Sequence, residues 1–301
     1  MPEIRIREVG PRDGLQNAAH LMPTAAKKRW IAALAAAGLK QIEVGSFVPP
    51  KLIPAMADTA EIVAHALQIP DLEVVVLAPN RKGFERALAA GAHKVTFPVS
   101  ASRAHSEANV RMTPEQMVDE VRRCAELARP GVEIEGAIST AFGCTLQGAV
   151  PEDDVVRLAV ALAEFCDTVA LADTVGYANP AQVRRLFFRV KSEIGARLEG
   201  AHFHDTRGLG LANALAAFEA GVRRFDSSMG GLGGCPFAPG ASGNVVTEDV
   251  VFLFESMGHA TGVNFDKLLQ ARRILVDSLP EEPVYGHTPA AGLPKGFRAS
   301  A

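Results

Sequence analysis

Short runs rich in valine and isoleucine alternate along the chain with longer Ala- and Leu-rich stretches whose apolar positions recur at helical spacing. Side chains repeat with a period of two along a strand and near 3.6 along a helix, so the two kinds of run predict different elements. They predict strands over residues 4–9, 41–46, 73–78, 94–99, 133–139, 168–172, 199–204 and 224–228. Helices are predicted over 24–37, 58–67, 82–90, 114–128, 151–165, 180–194 and 209–220. Thr113-Pro114 is a helix-start signal, and Gly38, Gly91 and Gly221 follow predicted helix ends. Eight strands alternating with helices predict parallel βα units, and eight closes a (β/α)8 TIM barrel within one α/β domain. An open doubly wound sheet shares this alternation, but no Gly-x-Gly-x-x-Gly joins the first strand to the first helix. The barrel with its closing helices is expected over residues 1–280, and a Pro- and Gly-rich flexible tail over 281–301.

Composition narrows the function classes. The 301 residues are 48% hydrophobic and 22% charged with a formal net charge of -3, ordinary for a soluble globular protein. That balance gives no electrostatic case for nucleic acid or an anionic membrane as partner. The pairs Arg184-Arg185 and Arg223-Arg224 read as solvated element ends. The strand pattern begins almost at Met1, leaving no room for a leader, and no apolar run is long enough to span a bilayer. Four cysteines (Cys124, Cys144, Cys166 and Cys235) without Cys-x-x-Cys spacing are expected to be reduced thiols, which points to a cytoplasmic protein.

The chemistry is read from the polar residues at the strand ends. Arg12 and Asp13 follow strand one, Glu43 interrupts apolar strand two, and Asp173-Thr174 ends strand six. His202 and His204 end strand seven, and a glycine-rich loop over 230–244 follows strand eight. In a TIM barrel the C-terminal strand ends form one face, where active sites are built. His202 and His204, two apart on a strand, point to the same side. With Asp13 and Asn244 they offer nitrogen and oxygen donors without thiolate, which suits a divalent Mg2+ or Mn2+, with Zn2+ and Co2+ as alternatives. A lone His is more often a satisfied core residue; the pair with its acidic neighbour favours a metal. Arg12 in a tight turn can stabilise an oxyanion, and it is the partner expected for a buried Glu43; a structural salt bridge is the plainer role. Cys235, in the glycine-rich loop, reads as a thiol delivered by a mobile lid, or as an incidental cysteine in a connector.

Val9-Gly10-Pro11-Arg12-Asp13-Gly14-Leu15-Gln16-Asn17, Ile42-Glu43-Val44 with Ser46-Phe47-Val48, and Gly231-Leu232-Gly233-Gly234-Cys235-Pro236 resemble the hydroxymethylglutaryl-CoA lyase family. So do Gly240-Ala241-Ser242-Gly243-Asn244 and Thr247-Glu248-Asp249. The resemblance implies a metal-assisted retro-Claisen cleavage of 3-hydroxy-3-methylglutaryl-CoA to acetoacetate and acetyl-CoA. It implies an acyl-CoA substrate and a homodimer or higher homo-oligomer. Asp13, His202, His204 and Asn244 match the family's metal ligands; Arg12 would stabilise the enolate and Cys235 would protonate it. Glu43 would orient Arg12 or a metal-bound water, Asp173 would position substrate or take the hydroxyl proton, and His202 would assist proton transfer. The chain departs from the family pattern at Arg207, a cation where an aromatic residue is expected, and over residues 100–109 with His105 and Asn109. These departures bear on the acyl group, so a related substrate such as citramalyl-CoA stays open. A Claisen synthase would need more chain after the barrel, and a class I aldolase a lysine at a strand end, whereas Lys94 begins its strand. A non-catalytic acyl-CoA-binding barrel would have no need of the full set of ligand candidates.

Overall fold

The computed structural model describes residues 4–233 and 243–299. Its strands are β1 (Arg5–Glu8), β2 (Gln41–Ser46), β3 (Glu73–Leu77), β4 (Lys94–Ser100), β5 (Glu133–Ser139), β6 (Thr168–Asp173), β7 (Leu198–Phe203) and β8 (Arg224–Ser227). They are parallel and close in sequence order, with Arg7 of β1 opposite Asp226 of β8. That β1–β8 pairing decides between the two sheet architectures, since an open sheet has two edges and this one has none.

The helices are α1 (Thr24–Ala36), α2 (Thr59–Ala66), α3 (Arg81–Ala90), α4 (Arg103–Val110), α5 (Pro114–Ala125), α6 (Glu152–Ala163), α7 (Pro180–Ile194), α8 (Gly210–Glu219), α9 (Thr247–Ser256), α10 (Phe265–Ser278) and α11 (His287–Ala291). Seven of them fall within a few residues of the sequence expectation. Their ends follow from local chemistry: Thr113 and Gln116 form a capping box at the start of α5, and Asn179 caps α7 ahead of Pro180. Helix α4 was not expected, because it is short and polar and buries only Ser106, leaving no apolar period to read. On the inner face of α1, Ala26, Trp30, Ile31 and Leu34 are buried. Burying large apolar side chains of this kind stabilises by roughly 1.5–3 kcal/mol each, so packing holds these helices more than intrinsic propensity does.

Inside the barrel, below the C-terminal mouth, the filling is charged. Arg7, Lys94, Glu135, Arg224 and Asp226 are all buried. Arg7 pairs with Glu135 at 2.7 Å and with Asp226 at 2.6 Å, while Arg224 pairs with Asp226 at 2.8 Å and also with Glu135. Lys94 and Arg224 both reach Glu199, at 3.0 and 3.2 Å. Gly200 on β7 makes room for this layer, since a Cβ there would lie 2.0 Å from the Arg224 guanidinium. Lys94 is thus an ion-paired residue at the N-terminal end of β4, not a lysine at the mouth. Among the described residues no helix is long and apolar enough to cross a membrane. Near the C-terminus, the Asp249 carboxylate accepts the backbone N–H groups of His287 and Thr288 at 2.9 and 2.7 Å, fixing α11 against α9.

Candidate active site

The turn after β1 is a single π-helical turn over Gly10–Gly14, in which the Val9 carbonyl accepts the N–H groups of Arg12, Asp13 and Gly14. Tight winding aims Arg12 and Asp13 at the mouth. Gly10 is needed there because a Cβ would meet Glu8 Oε1 at 2.6 Å and Trp30 at 3.0 Å. Glu8, fully buried, ties this turn to the segment after β8. Its Oε1 accepts Gly10 N–H at 2.8 Å and Met229 N–H at 2.9 Å, and its Oε2 accepts the Thr247 hydroxyl at 2.7 Å. Burial pushes the Glu8 carboxyl up to about 7 against those three donors.

Arg12 and Glu43 form an ion pair, with Nε and Nη2 each 2.6 Å from Glu43 Oε2. Nη1 of Arg12 also lies 2.6 Å from Asp13 Oδ1. Burial works against the Arg12 charge, yet Glu43 and Asp13 hold its pKa above the ordinary arginine value. Burial raises the Glu43 carboxyl, with Arg12 and Arg7 pulling the other way. Its Oε1 is buried without a hydrogen-bond partner among the described residues.

Asp13, His202 and His204 converge, their potential ligand atoms lying within 4.8 Å of one another. Asp13 Oδ2 lies 3.9 Å from His202 Nε2 and 3.8 Å from His204 Nε2. Those separations are too long for hydrogen bonds and short enough for one cation to touch all three groups. Burial opposes the Asp13 charge, but Arg12 and the two histidines hold its carboxyl down to about 2. Burial, then the neighbouring His202, lowers His204 to about 4, leaving a neutral imidazole, the form that binds metals. Asn244 joins them from beyond the glycine-rich loop, pinned beside β7 by a bridge to His204 and by the Asp205 N–H on the Gly243 carbonyl. Its Nδ2 donates to Asp13 Oδ2 at 2.7 Å and to the Leu232 carbonyl at 3.2 Å, while its Oδ1 is buried without a partner. Both neighbours of the amide nitrogen are acceptors, so the amide oxygen is the atom left over, in a set with two imidazoles and a carboxylate. The residues fit a divalent cation.

Other candidates sit differently. Asp173 is fully buried and accepts the N–H groups of Tyr177 and Ala178 at 2.9 and 3.0 Å, so its carboxylate shapes the loop after β6. Burial raises that carboxyl to about 6, against the two backbone donors. Cys235 lies outside the described residues. Arg207, expected as a cation at the mouth, is exposed and turned onto the β6–α7 loop. It donates to the carbonyls of Val175 and Gly176 and stacks over the Tyr177 ring at 4.6 Å. A guanidinium finds carbonyls and an aromatic face there, which strand-end counting does not reveal.

A cavity of about 640 Å³ opens over these groups, lined by Arg12, Asp13, His202 and His204 together with Val48, Leu52, His105 and Met112. Sequence reading missed Asp226, whose Oδ2 lies 3.3 Å from His202 Nδ1. A metal-ligating histidine is commonly oriented by such a carboxylate on its other nitrogen. Arg7 and Arg224 hold Asp226 ionised, far below the usual carboxylate range despite its burial. The readable signal was charge at alternate positions on β1 and β8 (Arg5 and Arg7; Arg224 and Asp226), which puts charges on the barrel's inner face.

The HMGL-like family model matches residues 3–275. The hydroxymethylglutaryl-CoA lyase of Bacillus subtilis is 39% identical over 279 residues, covering 92% of this chain and 93% of that one. A 3-hydroxy-3-isohexenylglutaryl-CoA/hydroxymethylglutaryl-CoA lyase of Pseudomonas aeruginosa is 42% identical over 271 residues, covering 89% and 90%. Among solved structures, an HMG-CoA lyase from Acinetobacter baumannii in complex with coenzyme A and 3-methylmalate superposes with a TM-score of 0.92. It is 40% identical, with 99% of this chain and 98% of that chain covered.

Proposed function

This chain belongs to the HMGL-like family, and on that premise we infer that it is a carbon–carbon lyase that cleaves 3-hydroxy-3-methylglutaryl-CoA to acetoacetate and acetyl-CoA. The carrying observation is the convergence of Asp13, His202 and His204 within 4.8 Å beside Arg12, at the mouth of the barrel. Relatives at 39–42% identity bearing that activity in their names support the same reading.

In this proposal Asp13, His202, His204 and Asn244 hold the metal, Mg2+ or Mn2+ by the hardness of the donor set. When bound, the cation polarises the substrate's hydroxyl and carbonyl oxygens. The 3-hydroxyl loses its proton, C3–O becomes a carbonyl, the C2–C3 bond breaks, and its electron pair leaves on C2 as the acetyl-CoA enolate. Arg12, held by Glu43 and Asp13, presents its guanidinium to the enolate oxygen. His202, with Asp226 against its Nδ1, is both ligand and the proposed acceptor of the hydroxyl proton. Asp173 shapes the loop over the site, and Cys235 delivers the proton that quenches C2. The acting form is a soluble cytoplasmic homodimer or higher homo-oligomer.

The test is turnover by purified protein with Mg2+ or Mn2+ across 3-hydroxy-3-methylglutaryl-CoA, citramalyl-CoA and longer-chain 3-hydroxyacyl-CoA thioesters. The proposal expects acetyl-CoA and acetoacetate in equal amounts from the first. Absence of acetyl-CoA from every substrate sinks the lyase reading; release from another substrate alone moves the acyl specificity.

A further inference from the structure

The cavity holds a titratable side chain that the proposed chemistry leaves unused. His105, on α4, lines the same cavity as the metal-ligand candidates. Its Nδ1 lies 3.0 Å from Ser100 Oγ, which lies 2.9 Å from Thr140 Oγ1. With the Thr140 proton placed on the Ser139 carbonyl, this chain selects one histidine tautomer. Thr140 donates its only hydroxyl proton to the Ser139 carbonyl at 2.7 Å, and its oxygen accepts the Ser102 N–H at 3.0 Å. The hydrogen bond between Ser100 and Thr140 therefore uses the Ser100 proton. Ser100 then has only a lone pair for His105, so the proton between them sits on Nδ1. A neutral imidazole protonated on Nδ1 carries a bare lone pair on Nε2. Among the described residues none donates to that nitrogen. Burial lowers the His105 pKa, which favours the neutral ring. Asn109, one turn further along the same face of α4, also lines the cavity, and Val48, Leu52, Val110 and Met112 nearby are apolar.

Resting on the lyase reading above, we propose that His105 is a specificity-determining residue whose Nε2 accepts a hydrogen bond from an N–H or O–H group of the bound acyl-CoA. A bare lone pair repels a carboxylate, so the acyl carboxylate is not its partner. Two parts of an acyl-CoA carry suitable donors: the amides and hydroxyl of the pantetheine arm, and any hydroxyl on the acyl group beyond the one at C3. Asn109, with both a donor and an acceptor, complements either.

The experiment uses the full chain with Mg2+ and the variant His105→Phe, which keeps an aromatic ring and removes the acceptor. A pantetheine donor predicts that His105→Phe weakens inhibition by free coenzyme A and raises KM for every acyl-CoA by the same factor, roughly three- to tenfold for one lost hydrogen bond. An acyl hydroxyl predicts unchanged inhibition by coenzyme A, and a similar fall in kcat/KM confined to substrates bearing a second hydroxyl. The tautomer is read separately by ¹⁵N NMR of the imidazoles, with the His105 signals assigned by their loss in His105→Phe among the 8 histidines. Nδ1 is expected protonated and Nε2 bare, a preference that Ser100→Ala should erase. A proton on Nε2 in the parent protein overturns the proposal. So does a His105→Phe variant that changes neither coenzyme A inhibition nor the ratio between substrates. The NMR readout needs no turnover, so it fails independently of the lyase assignment.

Discussion

The mouth of the barrel and the layer beneath it both bury charged residues and behave oppositely. Beneath the mouth, Arg7, Arg224 and Lys94 face Glu135, Asp226 and Glu199 in a closed set of ion pairs, each buried charge meeting an opposite one. At the mouth, Glu43 Oε1, His204 Nδ1 and Asn244 Oδ1 are buried without partners among the described residues, and Asp13 faces two imidazoles at distances beyond hydrogen bonding. A fully paired network serves rigidity, whereas unpaired buried acceptors are costly unless something else completes them. The difference separates scaffold from site on physical grounds alone. Asp226 belongs to both, joined to Arg7 and Arg224 below and to His202 above.

Breaking the mouth should give the largest functional effect. His204→Ala is expected to abolish tight metal binding and to lower kcat by more than the ~100-fold upper figure for groups that only orient ligands, while the unfolding free energy stays within about 1 kcal/mol of the parent. A metal titration by calorimetry beside the unfolding curve checks both, and retained metal would show the site misplaced. Arg12→Ala should cost about 10²–10³ in kcat with metal affinity kept, as for a lost oxyanion donor. Single-turnover kinetics would reveal whether the loss sits in the bond-breaking step.

The layer below should respond in stability. Glu135→Ala leaves Arg7 and Arg224 short of a partner in a buried setting and should cost about 3–5 kcal/mol, read from urea denaturation, with metal affinity of the folded fraction unchanged. Asp226→Asn tests the shared residue. Metal affinity should fall about 10–100-fold together with a loss of stability, and a variant losing only one of the two would cut the proposed link.

The smallest effect is on pH dependence, and it has opposite signs in the two regions. Glu199, in the lower layer, is held down to about 2 by Arg224, Lys94 and Arg5, against its burial. Its contribution is present above the unfolded value of about 4.3 and is lost as pH falls through about 2. Glu8, beneath the mouth turn, is raised by burial to about 7. Its contribution is full below about 4.3 and is lost as pH rises through 7, on the order of 1–3 kcal/mol. Stability measured from pH 5 to 8 should therefore fall more steeply in the parent than in Glu8→Gln, and identical slopes would refute the assignment.

Period-two and period-3.6 patterns determined the eight strands and seven of the helices, because each pattern is local and needs only one buried face to be read. Strand-end position marked Arg12, Asp13, His202 and His204 as neighbours before any coordinates, because parallel strands in a barrel bring their C-terminal ends to one rim. Closure of β1 on β8, the short polar helix α4, the Asp226–His202 contact and the stacking of Arg207 on Tyr177 were decided only in three dimensions. Each depends on a partner far along the chain or on competition between hydrogen-bond acceptors, and sequence spacing carries neither. Arg7 and Asp226 stand 219 residues apart and still share a bidentate contact, and that contact fixes the carboxylate against which His202 rests.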